Sequence, residues 1–278
     1  MVATISTVIP FDYHMHSNFS CDTRVSMSDM CREALRKHIP EIAFTEHFDR
    51  VRVGMCFDKY DVAGFFRALE QARAEFGPQG LTIKAGVEVG EIHLNRDEVN
   101  AVLDVWPYDL VLGSLHWNRG ENVFERPYFE KRGHMEMAKM YFAELTEMVE
   151  GGGFNIMSHM DVIKRMGYQV YGRFDIRDYE EFVRPVLAAC IRTGIAPEIN
   201  TSALRMAVNQ THPPLDVLKW YKEMGGERLS IGSDSHNPMH LGVGLDRALA
   251  LASEAGFTHL TKFKAREVQE AVPIQFSF

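Results

Sequence analysis

With 278 residues and 46% hydrophobic side chains, the chain can build one large domain or two small ones. Its 30 basic and 38 acidic residues leave a formal charge of -8, which argues against a general affinity for nucleic acid. No apolar run reaches membrane-spanning length, and the N-terminal "MVATISTVIPFDYH" has no basic n-region and no small-residue cleavage site, so neither a membrane span nor a secretory signal is expected. Cys21, Cys31, Cys56 and Cys190 show no CxxC spacing; no disulfide framework is expected, which fits a cytoplasmic location.

Short β-branched or apolar runs alternate with helix-period stretches along the chain. Strands are predicted at roughly 11–16, 41–46, 82–88, 109–115, 154–159, 195–200 and 228–233. Between them lie helical segments, among them "SMSDMCREALRKH", "DVAGFFRALEQARAEFG", "HMEMAKMYFAELTEMVE" and "RDYEEFVRPVLAACIRTG". Ser26 or Ser28 suits an N-cap, and Gly77 and Gly194 sit where helices stop. Seven βα units with no Pro/Ser-rich linker predict one α/β domain over 1–278. They suffice to close a barrel one unit short of the usual eight, with an open doubly wound sheet as the alternative.

The strand ends carry the chemistry. The first predicted strand ends in "HMH", and residues two apart on a strand share a face, so His14 and His16 converge. The second ends in Glu46-His47, the third in Glu88, the fourth in His116 and the fifth in His159. The sixth ends in Glu198 and Asn200, and the seventh in Asp234 and His236. In parallel α/β folds the C-terminal edge is where sites are built. A set of imidazoles and carboxylates suits zinc, iron or manganese, and it exceeds the four ligands of one tetrahedral ion. Two or three divalent ions suit hydrolysis at phosphorus or at a carbonyl.

"HMH", "TEH", "GVEVG", "GSLHW", "SHMDVIKR", "EINTSALR" and "GSDSH" resemble, in order and over about 11 to 245, the motifs of the polymerase and histidinol phosphatase (PHP) family. "SHMDVIKR" and "EINTSALR" resemble its histidinol-phosphatase branch. The resemblance implies a distorted (βα)7 barrel, a three-metal site and phosphoester hydrolysis. It would give one ion His14, His16, Glu88 and Asp234; a second Glu88, His116 and His159, with Glu88 bridging; and a third Asp22, His47 and His236. Position 22 is a histidine in many members, so Asp22 weakens or retunes that third site. Ala203 stands where the branch more often has Gly. The segment 117–134 matches least well and is expected to shape the substrate pocket.

Arg165 and Arg205 close two of these motifs and are candidates to grip the substrate phosphate, since a guanidinium matches a pair of phosphate oxygens. Asp234, His236 and a metal-bound water are candidates for proton delivery. Lys164 reads as a solvated neighbour, and His38, His134, His212 and His259 as surface or capping residues. His93 and His240 fall on loops near the expected mouth. Glu46, which on a strand would face away from His47, either orients a ligand histidine or has no role, and Glu198 and Asn200 are expected to orient ligands or touch substrate. Cys21 has no dedicated base and reads as packing.

The expected function is a metal-dependent phosphomonoesterase resembling histidinol-phosphatase, with a small phosphorylated alcohol as substrate and inorganic phosphate as product. Phe48, Asp49, Glu91, Trp117 and Glu121, just beyond strand ends, would receive the amine and imidazole of histidinol phosphate. The competing readings are a nucleotide phosphatase or phosphodiesterase of the same family, an amidohydrolase-type enzyme, and a metal-binding domain without catalysis.

Overall fold

The computed structural model describes residues 6–277; residue 278 and residues 1–5, where the segment read as carrying no secretory signal begins, lie outside the described residues. Seven parallel strands form the central sheet: β1 (Asp12–Met15), β2 (Glu41–Phe48), β3 (Thr82–Gly90), β4 (Leu110–Ser114), β5 (Ile156–Met157), β6 (Ala196–Asn200) and β7 (Ser230–Gly232). Each strand pairs with its predecessor in the chain. The two outer strands then meet: Asp234 N donates to His14 O (2.8 Å) and His16 N to Ser235 O (2.9 Å). Asp12, fully buried in β1, accepts from Ser233 N and Gly242 N and pins the same seam. The sheet is therefore a barrel, and the open-sheet alternative falls away.

Around it stand α1 (Met27–Arg36), α2 (Val62–Phe76), α3 (Arg96–Leu103), α4 (Arg126–Glu130), α5 (His134–Gly151), α6 (Lys164–Tyr171), α7 (Glu180–Thr193), α8 (Leu215–Glu223) and α9 (Leu245–Glu254). Ser26 caps α1 by accepting from Asp29 N at 3.1 Å, and Gly194 ends α7 at φ +74°. Gly77 is the C-cap of α2, its N–H donating to Arg73 O. The helix tightens into a 3₁₀ turn over Gly77–Gln79, and the left-handed residue is Gly80, at φ +95°.

The inner faces of the strands and helices share one hydrophobic core, with Phe44, Phe65, Phe129 and Phe142 among its fully buried rings. Among the described residues, no helix is long and apolar enough to cross a membrane.

Sequence periodicity missed α4, α6 and a C-terminal hairpin, β8 (His259–Lys264) with β9 (Glu267–Pro273). The turn of the hairpin is Ala265-Arg266, both left-handed at φ +50° and +63°. Such a two-residue turn ordinarily announces itself by Asn-Gly, which is why this one was silent. The hairpin closes the N-terminal end of the barrel. Thr261 N donates to Leu229 O (2.8 Å) and Arg266 N to Asp109 O (2.9 Å), both at strand starts.

Candidate active site

At the other end of the barrel, the strand termini deliver their side chains to one point. Glu88, fully buried near the end of β3, is the centre. Its Oε2 lies 3.3 Å from His14 Nε2, 3.5 Å from His16 Nε2 and 3.1 Å from His47 Nδ1. Its Oε1 lies 3.3 Å from His116 Nε2 and 3.0 Å from His159 Nε2. The two carboxylate oxygens thus face two separate sets of imidazoles. Asp234 Oδ1 stands 3.8 Å from His14 Nε2 and 3.7 Å from His16 Nε2. Asp22 Oδ2 stands 3.5 Å from His47 Nε2 and 3.0 Å from His236 Nε2.

Most of these approaches lack hydrogen-bond geometry. His14 Nε2, His16 Nε2, His47 Nδ1, His236 Nε2 and Glu88 Oε2 are buried atoms with no hydrogen-bond partner. An unpaired buried polar atom costs about 1–3 kcal/mol, so five at one point need a common partner. Metal ions would suit that place: the sets His14/His16/Glu88 and Glu88/His116/His159 each bring three donor atoms within 4.8 Å of one another, as does His16/His47/His236. The residues present fit metal ions.

The surroundings fix the tautomers. His14 Nδ1 donates to Glu198 Oε1 at 2.8 Å, which leaves Nε2 a free lone pair. Ser20 Oγ donates to Glu46 Oε2 (2.7 Å) and so accepts from His16 Nδ1 (2.9 Å). Glu46, through Ser20, and Glu198 therefore orient the His16 and His14 rings, and Asn200 Nδ2 supports Glu198 at 3.1 Å. Gly232 is required here, because a Cβ on it would collide with Glu198 Oε1 and His14 Cβ. Burial, reinforced by His236 and His47, pushes His16 well below the imidazole range. Burial opposes the charge on His116, yet Asp49 and Glu88 outweigh it and raise the group to about 10. Glu88 itself is held well below the carboxylate range against the penalty of burial, chiefly by His14 and His47.

A cavity of about 280 Å³ opens over the cluster, lined among others by Asp22, Asp49, Trp117, Asn122, Phe124 and Arg165. The segment 117–134 thus supplies part of the wall. Asp234, which lines the cavity, is left-handed at φ +52°, and so is the buried Glu91 at φ +44°. Of the five residues proposed to receive amine and imidazole, Asp49 and Trp117 line the cavity. Phe48 is buried and outside that lining, and Glu91 accepts from the backbone N–H groups of His116 (2.6 Å) and Trp117 (2.8 Å). Glu121 is held by Lys131 at 2.6 Å and by Arg132.

The two arginines differ. Arg165 lines the cavity, and its Nη2 donates to Asp234 Oδ2 at 3.0 Å. Arg205 lies outside the lining; its Nη2 donates to the backbone oxygens of Ser233 (2.9 Å) and Asp234 (3.2 Å). Lys164 is not solvated but fully buried, 2.8 Å from Asp161 Oδ2. His212 is not a surface residue either: it is fully buried, with Nδ1 2.8 Å from Asp161 Oδ1. No local pattern marked these residues, because His212 reaches the site by pairing with Asn200 across an intervening loop. His93 is an internal partner of Glu144 (3.3 Å), and exposed His240 lies outside the cavity lining.

The cysteine reading also needs correcting: Cys21 and Cys56 form a disulfide, while Cys31 and Cys190 are free and buried. The partners are 35 residues apart, brought together where the loops after β1 and β2 meet at the cavity mouth, which no sequence spacing announces.

The chain is similar in sequence and fold to known proteins. The histidinol-phosphatase of Lactococcus lactis is 27% identical over 261 residues, covering 93% of this chain and 96% of the relative. A probable histidinol-phosphatase of Clostridium acetobutylicum is 26% identical over 244 residues, 87% of this chain and 92% of its own. The crystal structure of the Lactococcus lactis histidinol phosphate phosphatase, complexed with zinc, L-histidinol and phosphate, superposes with a TM-score of 0.85 at 26% identity, covering 94% of this chain and 99% of that one. The PHP domain model matches residues 12–202, the stretch that carries six of the seven barrel strands and all the ligand-type residues before β7, and the chain belongs to that family.

Proposed function

We propose that the protein is a metal-dependent phosphomonoesterase that hydrolyses L-histidinol phosphate to L-histidinol and inorganic phosphate, a step of cytoplasmic amino-acid biosynthesis carried out by a single domain. The observation that carries the reading is Glu88, whose two oxygens face separate sets of histidines. Two to three divalent ions, zinc, iron or manganese, would be held by His14, His16, Glu88 and Asp234; by Glu88, His116 and His159; and by Asp22, His47 and His236. When bound, such ions lower the pKa of water and neutralise phosphoryl charge.

The chain supplies the rest. Arg165 donates to the phosphate oxygens at the cavity wall, a charge-assisted contact worth about 1.5–3 kcal/mol. Arg205 holds the backbone of the Ser233–Asp234 turn and so keeps the Asp234 carboxylate aimed at the cluster. The leaving alkoxide needs a proton, and the candidates to deliver it are Asp234 and His236, whose Oδ1 and Nδ1 lie 3.5 Å apart, and a water held at the cluster. Asp49 and Asp22 make the cavity hospitable to a cationic amine and hostile to extra phosphates, and Trp117 and Phe124 offer flat faces to an imidazole.

Phosphate release across a panel of esters tests the reading. The kcat/KM for L-histidinol phosphate should exceed that for nucleoside monophosphates at least roughly tenfold, about 1.4 kcal/mol of discrimination. Equal or better turnover of nucleotides or of a phosphodiester would move the protein to another branch of the family.

A further inference from the structure

Behind the cavity wall lies a buried cluster that the proposed reaction does not use. Asp161, Lys164 and His212 are all fully buried. Asp161 Oδ2 is 2.8 Å from Lys164 Nζ and its Oδ1 is 2.8 Å from His212 Nδ1. Lys164 also donates to Thr211 O at 2.6 Å, and the backbone of His212 pairs both ways with Asn200 (2.7 and 2.8 Å). The ring is therefore fixed in place. Because a carboxylate only accepts, His212 carries its proton on Nδ1 and presents Nε2 as an acceptor. The group that meets it is Arg165, whose Nε donates to that nitrogen at 3.2 Å.

Arg165 is thus held on one edge. Nε rests on His212, and Nη2 on Ser202 Oγ (2.5 Å) and Asp234 Oδ2 (3.0 Å). Among the described residues Nη1 has no hydrogen-bond partner, on a side chain that lines the cavity. We infer that His212, with its tautomer set by Asp161, is a positioning residue that locks the Arg165 guanidinium for phosphate. This rests on the reading of Arg165 as the phosphate grip. A free arginine side chain loses considerable rotamer freedom when it binds, and a planar fork fixed beforehand loses less. The acceptor must be neutral, since a protonated imidazole would repel the guanidinium it now receives.

The test uses the metal-loaded enzyme and inorganic phosphate as the probe. His212→Leu should weaken phosphate inhibition and raise KM about tenfold, roughly 1.4 kcal/mol or one charge-assisted hydrogen bond, with metal content unchanged and kcat less affected. His212→Gln, which keeps an acceptor, should recover most of the loss. In an Arg165→Ala background, His212→Leu should add less than about twofold, because its route of action is already gone. Fully additive losses, or unchanged phosphate inhibition in a folded His212→Leu protein, would remove the positioning role. Should His212→Leu not fold, nitrogen-15 NMR of the wild type at neutral pH decides: an Nδ1–H tautomer with unprotonated Nε2 upholds the inference, and an Nε2–H or doubly protonated ring overturns it. Failure of the underlying reading looks different, since the wild type would then show neither phosphomonoester turnover nor phosphate inhibition.

Discussion

At the N-terminal end of the barrel, Glu41 and Lys84 are buried with their charges answered by the chain itself; at the C-terminal end, Glu88, His14, His16, His47 and His236 each leave a buried atom without a partner. Glu41 accepts from Lys262 Nζ (3.2 Å) and from the Tyr13 hydroxyl. Lys84 Nζ donates to Phe263 O (3.0 Å) and Gln269 Oε1 (2.8 Å). These partners, Tyr13 excepted, come from the β8–β9 hairpin. One end spends buried polar groups on holding the fold closed, and the other reserves them for ions and substrate. Burial alone does not tell the two apart; the state of the hydrogen-bond partners does.

The largest effect should come from breaking the open end. Glu88→Gln removes the charge facing both histidine sets, and metal content and activity should fall together, activity by at least roughly a hundredfold, beyond the 10–100-fold of an outer-sphere change. Elemental analysis beside a phosphate-release assay reads both. The closed end should answer differently. Lys84→Met leaves Phe263 O without its donor and should cost about 1–3 kcal/mol in denaturant unfolding, with metals per folded chain unchanged. A loss of metal in that variant would erase the distinction between the ends.

A subtler change sharpens the comparison. Ser20→Ala cuts the relay from Glu46 to His16 Nδ1 and should weaken metal binding roughly tenfold in a chelator competition, with little change in thermal midpoint. The smallest effect concerns the mouth. Denatured, unreduced protein should titrate as two thiols, Cys31 and Cys190, and reduced protein as four. Four thiols without reductant would remove the Cys21–Cys56 link.

The open end was the more legible in the sequence. Every strand of the barrel follows from local pattern, and with it the place of the histidines and carboxylates at or just past each strand end, whereas Asp22, in a turn well beyond β1, is not placed by any strand. His14 and His16 needed only a period of two. The closed end was nearly silent, since Glu41 and Lys84 find their partners in a hairpin whose Ala265-Arg266 turn lacks the usual residues. Asp161, Lys164 and His212 were misread or passed over for the same reason: their meaning lies in contacts that cross some fifty residues of chain, such as His212 with Asp161. Likewise Arg165 and Arg205 are alike as residues and separate only once the fold turns one to the cavity and the other to a backbone turn.

Metal removal and return tests the central claim most directly, with stoichiometry and turnover of L-histidinol phosphate measured on the same samples. The protein should hold two to three divalent ions per chain, lose activity as a chelator strips them, and regain it when zinc, iron or manganese is restored. Full activity in metal-free protein, or a folded wild type that binds no divalent ion at the Glu88 cluster, would contradict the account.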